Sequence, residues 1–422
     1  FSNRNSQHEK AVRDIIAAAY PQWEVVLGSE TAGQLNFMRR ITTSYYSLIT
    51  RSSWIGFVSE IEKALADREL DNVRVDILKA DGGTMPLSKS REKPCETVFS
   101  GPAASTMGAR ALLGEAGNAV VLDIGGTTTD ISLLLDGQAL YASRGATING
   151  QYTQIKSIST RSLALGGDSP IVSGTDKSVN IISQRQGQAA CFGGEQATVI
   201  DVFNCKYLLG IGNQNLSTEK LQQLADSVGI QMPDLLSSLE DSVIDKLAET
   251  IQNMFKEWEN EPAYRVWEVI HQRRFKVEQI IGIGAAAAAI ISVLAERMQV
   301  NCLIHNYSAV ANAIGAAIAR PTMALNLHID TQNGSYSTDL EGISGTAPKG
   351  RAMQIEDARM LAQDLLHRVA AEKDMAAYAN EAEFYQEEQF NIIRGWDSPG
   401  KIFEIGIQIT PGFIDEFKEG LL

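Results

Sequence analysis

Thiols and imidazoles are scarce in this chain of 422 residues, which carries four cysteines and five histidines. Cys95, Cys191, Cys205 and Cys302 show neither the paired spacing of a metal site nor the framework spacing of a disulfide scaffold. Four free thiols in a reduced, cytoplasmic protein are therefore expected. His8, His271, His305, His328 and His367 include no i, i+4 pair, which argues against a zinc-binding helix. Long apolar runs are missing too. The most apolar stretch, Ile280 to Leu294, is mostly alanine and too short to cross a bilayer. The opening residues do not read as a cleavable leader. Basic residues are outnumbered, 37 against 51 acidic ones, for a formal net charge of -14. That balance excludes nucleic acid as the main partner, because phosphate backbones need clustered Lys and Arg. It leaves a nucleotide open, whose charge a metal and backbone donors can meet. With 44% hydrophobic residues, the chain has ample material for two or three domains.

What is present centres on Val120-Val-Leu-Asp-Ile-Gly-Gly-Thr-Thr-Thr-Asp-Ile-Ser-Leu-Leu134. It reads as an apolar strand ending near Asp123, a tight turn through Gly125, Gly126 and Thr127, and a second strand from Asp130. Paired glycines between strands let bare N–H groups approach a ligand with no Cβ in the way. Consecutive N–H groups form a concavity suited to phosphate oxygens, and Thr127, Thr128 and Thr129 add hydroxyls. Asp123 is a candidate for a hydrated Mg²⁺, which takes one carboxylate plus water and phosphate. The alternative is a plain hairpin whose Gly-Gly only makes the turn.

A second glycine element, Val277-Glu-Gln-Ile-Ile-Gly-Ile-Gly-Ala-Ala-Ala-Ala-Ala-Ile290, reads as strand, Gly-Ile-Gly turn and helix. Gly282 and Gly284 allow a sharp turn, and the helix N-terminus adds partial positive charge. A dinucleotide fingerprint is one rival, but it needs an acid at the end of the next strand, where His305-Asn306 stands. Close helix–strand packing is another. The methyls of Ala285 to Ala289 narrow the approach to this turn. Gly166-Gly167-Asp168-Ser169 forms a third glycine turn, in which Asp168 brings negative charge near the supposed phosphate site. Asp81, in Lys79-Ala-Asp-Gly-Gly-Thr84, is a candidate general base or metal carboxylate, or else a turn residue. Arg39 and Arg40 are candidates for a substrate carboxylate, or a solvated surface pair.

The Asp-Ile-Gly-Gly-Thr-Thr-Thr-Asp segment resembles the second phosphate loop of the actin-like ATPases. Together with Thr97-Val-Phe-Ser-Gly-Pro-Ala-Ala-Ser-Thr-Met-Gly-Ala109, the chain resembles the hydantoinase A/oxoprolinase family over most of residues 1–320. Phe1 to Glu9, Arg39 to Tyr45, Lys79 to Thr84 and Val310 to Ala317 are further landmarks in the same order. The resemblance implies an α/β fold of actin-like (ribonuclease H-like) lobes. It implies ATP and Mg²⁺ held by Asp123, Gly125, Gly126, Thr127 and Thr128, with the nucleoside at Gly282, Gly284 and Ala285. Asp123 and Asp81 take the catalytic roles. The implied reaction is ATP-driven opening of a cyclic amide such as oxoproline or a hydantoin, with a B-type subunit as partner. Two alternatives are a non-catalytic nucleotide-sensing subunit and a ketone-activating kinase subunit of a carboxylase. Homo-oligomers fit either reading. The first phosphate loop of such folds is not found in this sequence, so a missing stretch of about 150–200 residues is expected.

The expected division is 1–115 for the remainder of a first lobe, 116–322 for a second lobe with a helical insertion at about 215–275, and 323–422 as an appended module. Alternating strands and helices give the α/β expectation. Leu236, Leu239, Val243, Leu247, Ile251 and Met254 step by three or four and predict one amphipathic helix. Helices are further expected over residues 1–20, 35–66, 102–113 (capped by Ser100), after Pro262, and over 285–298, 308–319 and 355–379. Strands are expected at 23–27, 73–78, 277–281, 301–304 and 402–409, with a hairpin around Gln332-Asn333-Gly334.

Overall fold

The computed structural model describes residues 5–32, 36–70, 72–114, 117–260, 276–340, 342–394 and 397–420. The chain divides into two compact units, one of residues 1–100, 141–157 and 318–422, the other of residues 101–140 and 158–317. This differs from the expected boundaries. Residues 323–422 share a unit with the amino-terminal segment, and the helix after residue 100 belongs with the phosphate-loop candidate.

The second unit is built on a six-stranded sheet. Strands Asn301–Ile304, Gln279–Ile283 and Ala119–Ile124 run parallel. Thr129–Leu135 pairs antiparallel with Ala119–Ile124, and Gln138–Ala139 and Thr160–Leu163 pair with Thr129–Leu135. Val120, Leu122, Ile280 and Ile281 are fully buried. That is why Ala119–Ile124 and Gln279–Ile283, covered on both faces, read as continuous apolar runs, whereas the edge strand Asn301–Ile304 is exposed throughout. Helix Ala287–Met298 packs on the sheet through Ala287, Ile291 and Leu294. The predicted amphipathic stripe forms one long helix, Met232–Glu259, whose Leu235, Leu239, Val243, Ile244, Leu247 and Ile251 enter the same core. Each such side chain contributes about 1.5–3 kcal/mol when fully buried. Helix Val199–Tyr207 begins at a capping box in which Asp201 also accepts from the amides of Ala190 and Cys191 and from Ser217 Oγ. Helices Ser100–Leu113 and Ala311–Ile318 touch backbone to backbone. A Cβ on Gly108 would lie 1.8 Å from the Ala311 carbonyl oxygen, and one on Gly315 would lie 2.0 Å from that of Ala104.

In the first unit, helices Gln7–Ala19 and Phe37–Ala66 precede the short hairpin Asp76–Leu78/Thr84–Pro86. A five-stranded antiparallel sheet follows in the order Ser344–Thr346, Ser335–Thr338, Met323–Asp330, Asp397–Ile409, Glu383–Arg394. Met323–Asp330 alternates without a break: Leu325, Leu327 and Ile329 are buried, and the residues between them are partly exposed. Helix Ile355–Glu372 covers that apolar face through Ala358, Ala362, Leu365, Leu366 and Val369.

Several expectations shift. Residues 23–27 form no strand. Ser100 is the first residue of its helix rather than its cap. The expected helix over 308–319 is a 3-10 turn, Ser308–Val310, followed by Ala311–Ile318. That over 355–379 breaks after Glu372, where Asp374 adopts a positive φ of 56°. Strand Glu383–Arg394 was not anticipated, and its partner starts at Asp397 rather than at 402. The helix expected after Pro262, and the end of the insertion near 275, lie outside the described residues. Among the described residues no helix is long and apolar enough to cross a membrane.

Candidate functional site

Three glycine turns meet in the second unit. The first joins Ala119–Ile124 to Thr129–Leu135. Its Gly125 amide bonds to the Thr128 carbonyl at 3.0 Å, which closes the turn. Among the described residues, the amides of Gly126, Thr127 and Thr128 have no protein acceptor. Thr127 is exposed, and Gly126 and Thr128 are partly so. Three successive donors without an acceptor at a solvent-facing turn form the kind of concavity that holds an oxyanion.

The second turn, Gly166 to Ser169, braces the first. Gly167 N donates to Gly125 O at 2.9 Å and Asp168 N to Gly126 O at 2.7 Å. Gly166 has no room for a side chain, since a Cβ would sit 2.5 Å from Gly126 O. Ser169 Oγ accepts from the Gly166 amide at 2.9 Å. The amides of this turn are thus committed to the fold. Asp168 does not stand alone: its carboxylate pairs with the Arg185 guanidinium at 2.7 Å. A Cβ on Gly126 would meet that same carboxylate at 2.5 Å.

The third turn follows Gln279–Ile283, whose Ile283 lies in register with Asp123. Gly284 has φ +87°, and a Cβ there would lie 2.5 Å from Asp123 Oδ1 and 2.7 Å from Ile124 O. Its amide donates to Ser308 O at 3.1 Å. Ala285 is exposed. Ala286 and Ala287 are buried, and the Ala286 amide donates to Ile124 O. The alanine run therefore turns most of its methyls inward and leaves the surface to Ala285 and Ala288. Gly282 has a different duty from the one its motif suggested. It is buried, and a Cβ would strike Ile291 at 2.6 Å, so its glycine serves helix–strand packing.

Asp123 sits where these turns converge. Ser105 Oγ, buried on helix Ser100–Leu113, donates a hydrogen bond to Asp123 Oδ2. Asp130 faces Asp123 across the hairpin register. Burial raises the Asp130 carboxyl above its usual range; the Asp123 charge adds to the rise and a hydrogen bond with Ser162 opposes it. Sequence reasoning missed Ser105 and Arg185. Ser105 lies in the Gly-Pro-Ala-Ala-Ser segment, which offered a signal. Arg185 offered none.

Asp81 belongs to the first unit. Its carboxylate is buried and saturated, accepting from Lys79 Nζ at 3.2 Å, the Gly83 amide at 2.9 Å and Thr322 Oγ1 at 2.9 Å. Burial pushes this carboxyl up, but the Lys79 charge, with Lys156 and these hydrogen bonds, brings it below the usual carboxylate range. Desolvation likewise depresses Lys79, and the carboxylates of Asp81 and Glu96 more than reverse that. Such a group fastens the Asp81-Gly82-Gly83 turn to residue 322 rather than standing ready to take a proton. Of the arginine pair, Arg40 is buried and Arg39 is half-buried.

The profile of the hydantoinase/oxoprolinase family matches residues 45–324, well over half of the chain. The chain belongs to the hydantoinase/oxoprolinase family. Among solved structures it is similar to a nucleotide-free acetone carboxylase, from work on ATP-dependent acetone carboxylation, at 16% identity and a TM-score of 0.65, over 98% of this chain and 63% of that one. It is similar to the same degree, 16% identity and a TM-score of 0.65, to an ATP-dependent caprolactamase from Pseudomonas jessenii, over 96% of this chain and 63% of that one. This chain therefore spans less than two thirds of either. No curated protein matches it. The family assignment agrees with the motifs that suggested it, and the fold is the mixed α/β arrangement of these relatives.

Proposed function

We propose that the second unit is the phosphate-binding part of an ATP-dependent enzyme of the hydantoinase/oxoprolinase type, with an actin-like lobe architecture. One observation carries this reading: the unsatisfied amides of Gly126, Thr127 and Thr128 beside Asp123, braced by two further glycine turns. The residues fit a polyphosphate because these three donors have no protein acceptor among the described residues. Gly284 lies against Asp123, and with its neighbour Ala285 it would take the nucleoside in this reading.

Among the described residues no group of three or more His, Cys, Asp or Glu could hold a metal ion. A magnesium ion at Asp123 would draw its other ligands from water and phosphate, as it commonly does. When bound, it would neutralise charge building on the phosphoryl oxygens. The protein's own share is positioning. Ser105 fixes one Asp123 oxygen, the threonine turn donates to phosphate oxygens, and Arg185 cancels the Asp168 charge that would repel them.

The substrate class follows from the family: a cyclic amide, whose carbonyl becomes open to water once its oxygen is phosphorylated. The likeness to acetone carboxylase favours a second reading, phosphorylation of a small ketone. A B-type subunit is the partner in either case. Purified protein with Mg-ATP separates these readings. Phosphate release stimulated by oxoproline or a hydantoin supports the first, and stimulation by acetone alone supports the second. Tight nucleotide binding without turnover points to a sensing subunit. Absence of any Mg-ATP heat in calorimetry overturns the nucleotide site itself.

A further inference from the structure

The first unit holds a cavity of about 200 Å³ that the phosphate-loop reading does not use. Its wall carries Lys79, Lys89, Lys93, Lys156 and Lys373, the last of which has a partner of its own. Three of these amines have a carboxylate in reach: Lys79–Asp81 at 3.2 Å, Lys89–Glu92 at 3.5 Å and Lys93–Glu96 at 3.5 Å. Lys156 differs. Its Nζ bonds to the neutral Gln408 Oε1 and lies 5.0 Å from the centre of the Tyr141 ring. Among the described residues no carboxylate comes within ion-pair distance of it. The Tyr141 hydroxyl is in turn fixed to the Asp81 carbonyl at 3.0 Å, so the platform under the amine is anchored to the turn described above. Ser47, also on the wall, is buried with no oxygen or nitrogen partner for its hydroxyl, and Cys95 lies in the same wall.

An amine with no carboxylate at ion-pair distance among the described residues, on which the Asp81 and Lys79 charges act from further off, in a cavity whose buried Ser47 hydroxyl has only the Cys95 thiol beside it, is suited to an anion. We infer that this cavity binds a small molecule through a carboxylate, with Lys156 supplying the charge and Ser47 a hydroxyl. The charge on the wall selects the class. Asp81 and Glu96 stand close enough that a doubly charged phosphate would meet more repulsion than a carboxylate monoanion. This site is independent of the nucleotide reading, since it uses none of the same residues.

Trifluoroacetate, a carboxylate monoanion observable by fluorine NMR, is the probe. With the full chain, its signal should broaden in a saturable way. Lys156→Met should weaken that binding by roughly tenfold or more, and Lys156→Arg, which keeps the charge, should retain most of it. Gly126→Val should leave the broadening unchanged, which separates this site from the phosphate turn. Circular dichroism and melting curves check that each variant is folded. No saturable broadening with the wild-type chain overturns the inference. So does equal broadening in folded Lys156→Met, its loss in folded Gly126→Val, or displacement by inorganic phosphate at lower concentration than by acetate.

Discussion

The carboxylate of Asp168 is held 2.7 Å from the Arg185 guanidinium and occupies the space that a side chain on Gly126 would need. One ion pair thereby sets both the charge and the clearance beside the phosphate turn. Replacing Arg185 with Ala should leave a bare carboxylate facing the nucleotide. Mg-ATP affinity should fall about 2- to 5-fold, and stability should change by no more than about 0.5 kcal/mol, because the arginine is half exposed. Adding Asp168→Asn should recover the lost affinity. A titration series over the four proteins of this cycle checks it, and a double variant no better than Arg185→Ala would refute the charge argument.

Gly284 and Gly229 both have positive φ, 87° and 77°, but only Gly284 is hemmed in. Gly229 ends helix Gln214–Val228 with nothing within 4 Å of where its Cβ would be. Alanine at Gly229 should cost about 1 kcal/mol from backbone strain alone. Alanine at Gly284 should cost about 2 kcal/mol or more, because it also presses on Asp123 and the Ile124 carbonyl. It should abolish Mg-ATP binding as well. Urea melts of the two variants compare the costs, and equal destabilisation would show that the contact with Asp123 is soft.

Ser105→Ala removes the hydroxyl that orients Asp123 and should lower ATP turnover about 10- to 100-fold while the fold persists. Asp123→Ala should abolish turnover. Phosphate-release rates, read beside melting curves, decide the matter. Full activity in Ser105→Ala would mean that Asp123 is positioned by something else.

The Lys79–Asp81 pair makes a prediction about pH. The Asp81 carboxyl is lowered in the folded protein, so its stabilisation is complete above the unfolded value, about 3.9, and fades as pH falls through the folded value. The Lys79 amine is raised, so its share is complete below about 10.4 and fades as pH rises through the folded value. Asp81→Ala leaves the buried Lys79 ammonium with Glu96, at 3.8 Å, as its remaining carboxylate and should cost about 3 kcal/mol at neutral pH, whereas Lys79→Met with Asp81→Asn should cost less. Denaturant midpoints at pH 7 and pH 3 test this. The wild type should lose more stability between them than the double variant does.

Local chemistry was legible where period and glycine agreed. The hairpin around Gly125 and Gly126 showed because buried apolar strands flank a turn that only small residues make. The helix Met232–Glu259 showed because its apolar stripe keeps step over many turns. Pairings across the chain left no local mark. Ser105 with Asp123, Asp168 with Arg185, and Lys79 with Thr322 are created by topology. Strand Glu383–Arg394 escaped notice because most of its residues face water, and Glu and Gln dominate its exposed stretch. Glycine itself is ambiguous. Nothing around Gly282 or Gly284 tells a glycine packed under a helix from one packed against a carboxylate, and only the neighbour a Cβ would strike, Ile291 or Asp123, separates them.

The unit holding Asp81 is assembled from three stretches of chain, the last beginning at residue 318, whereas the unit holding Asp123 closes by residue 317. A ribosome therefore releases every part of the Asp123 unit before the five-stranded sheet of the other unit has been made. Ile15, Phe37, Met38 and Ile41 of the amino-terminal helices stay exposed even when that sheet is complete, so its late arrival does not bury them. Truncation before residue 400 should thus remove most of Asp397–Ile409, the strand that joins Met323–Asp330 to Glu383–Arg394, and break that sheet while leaving the glycine turns intact.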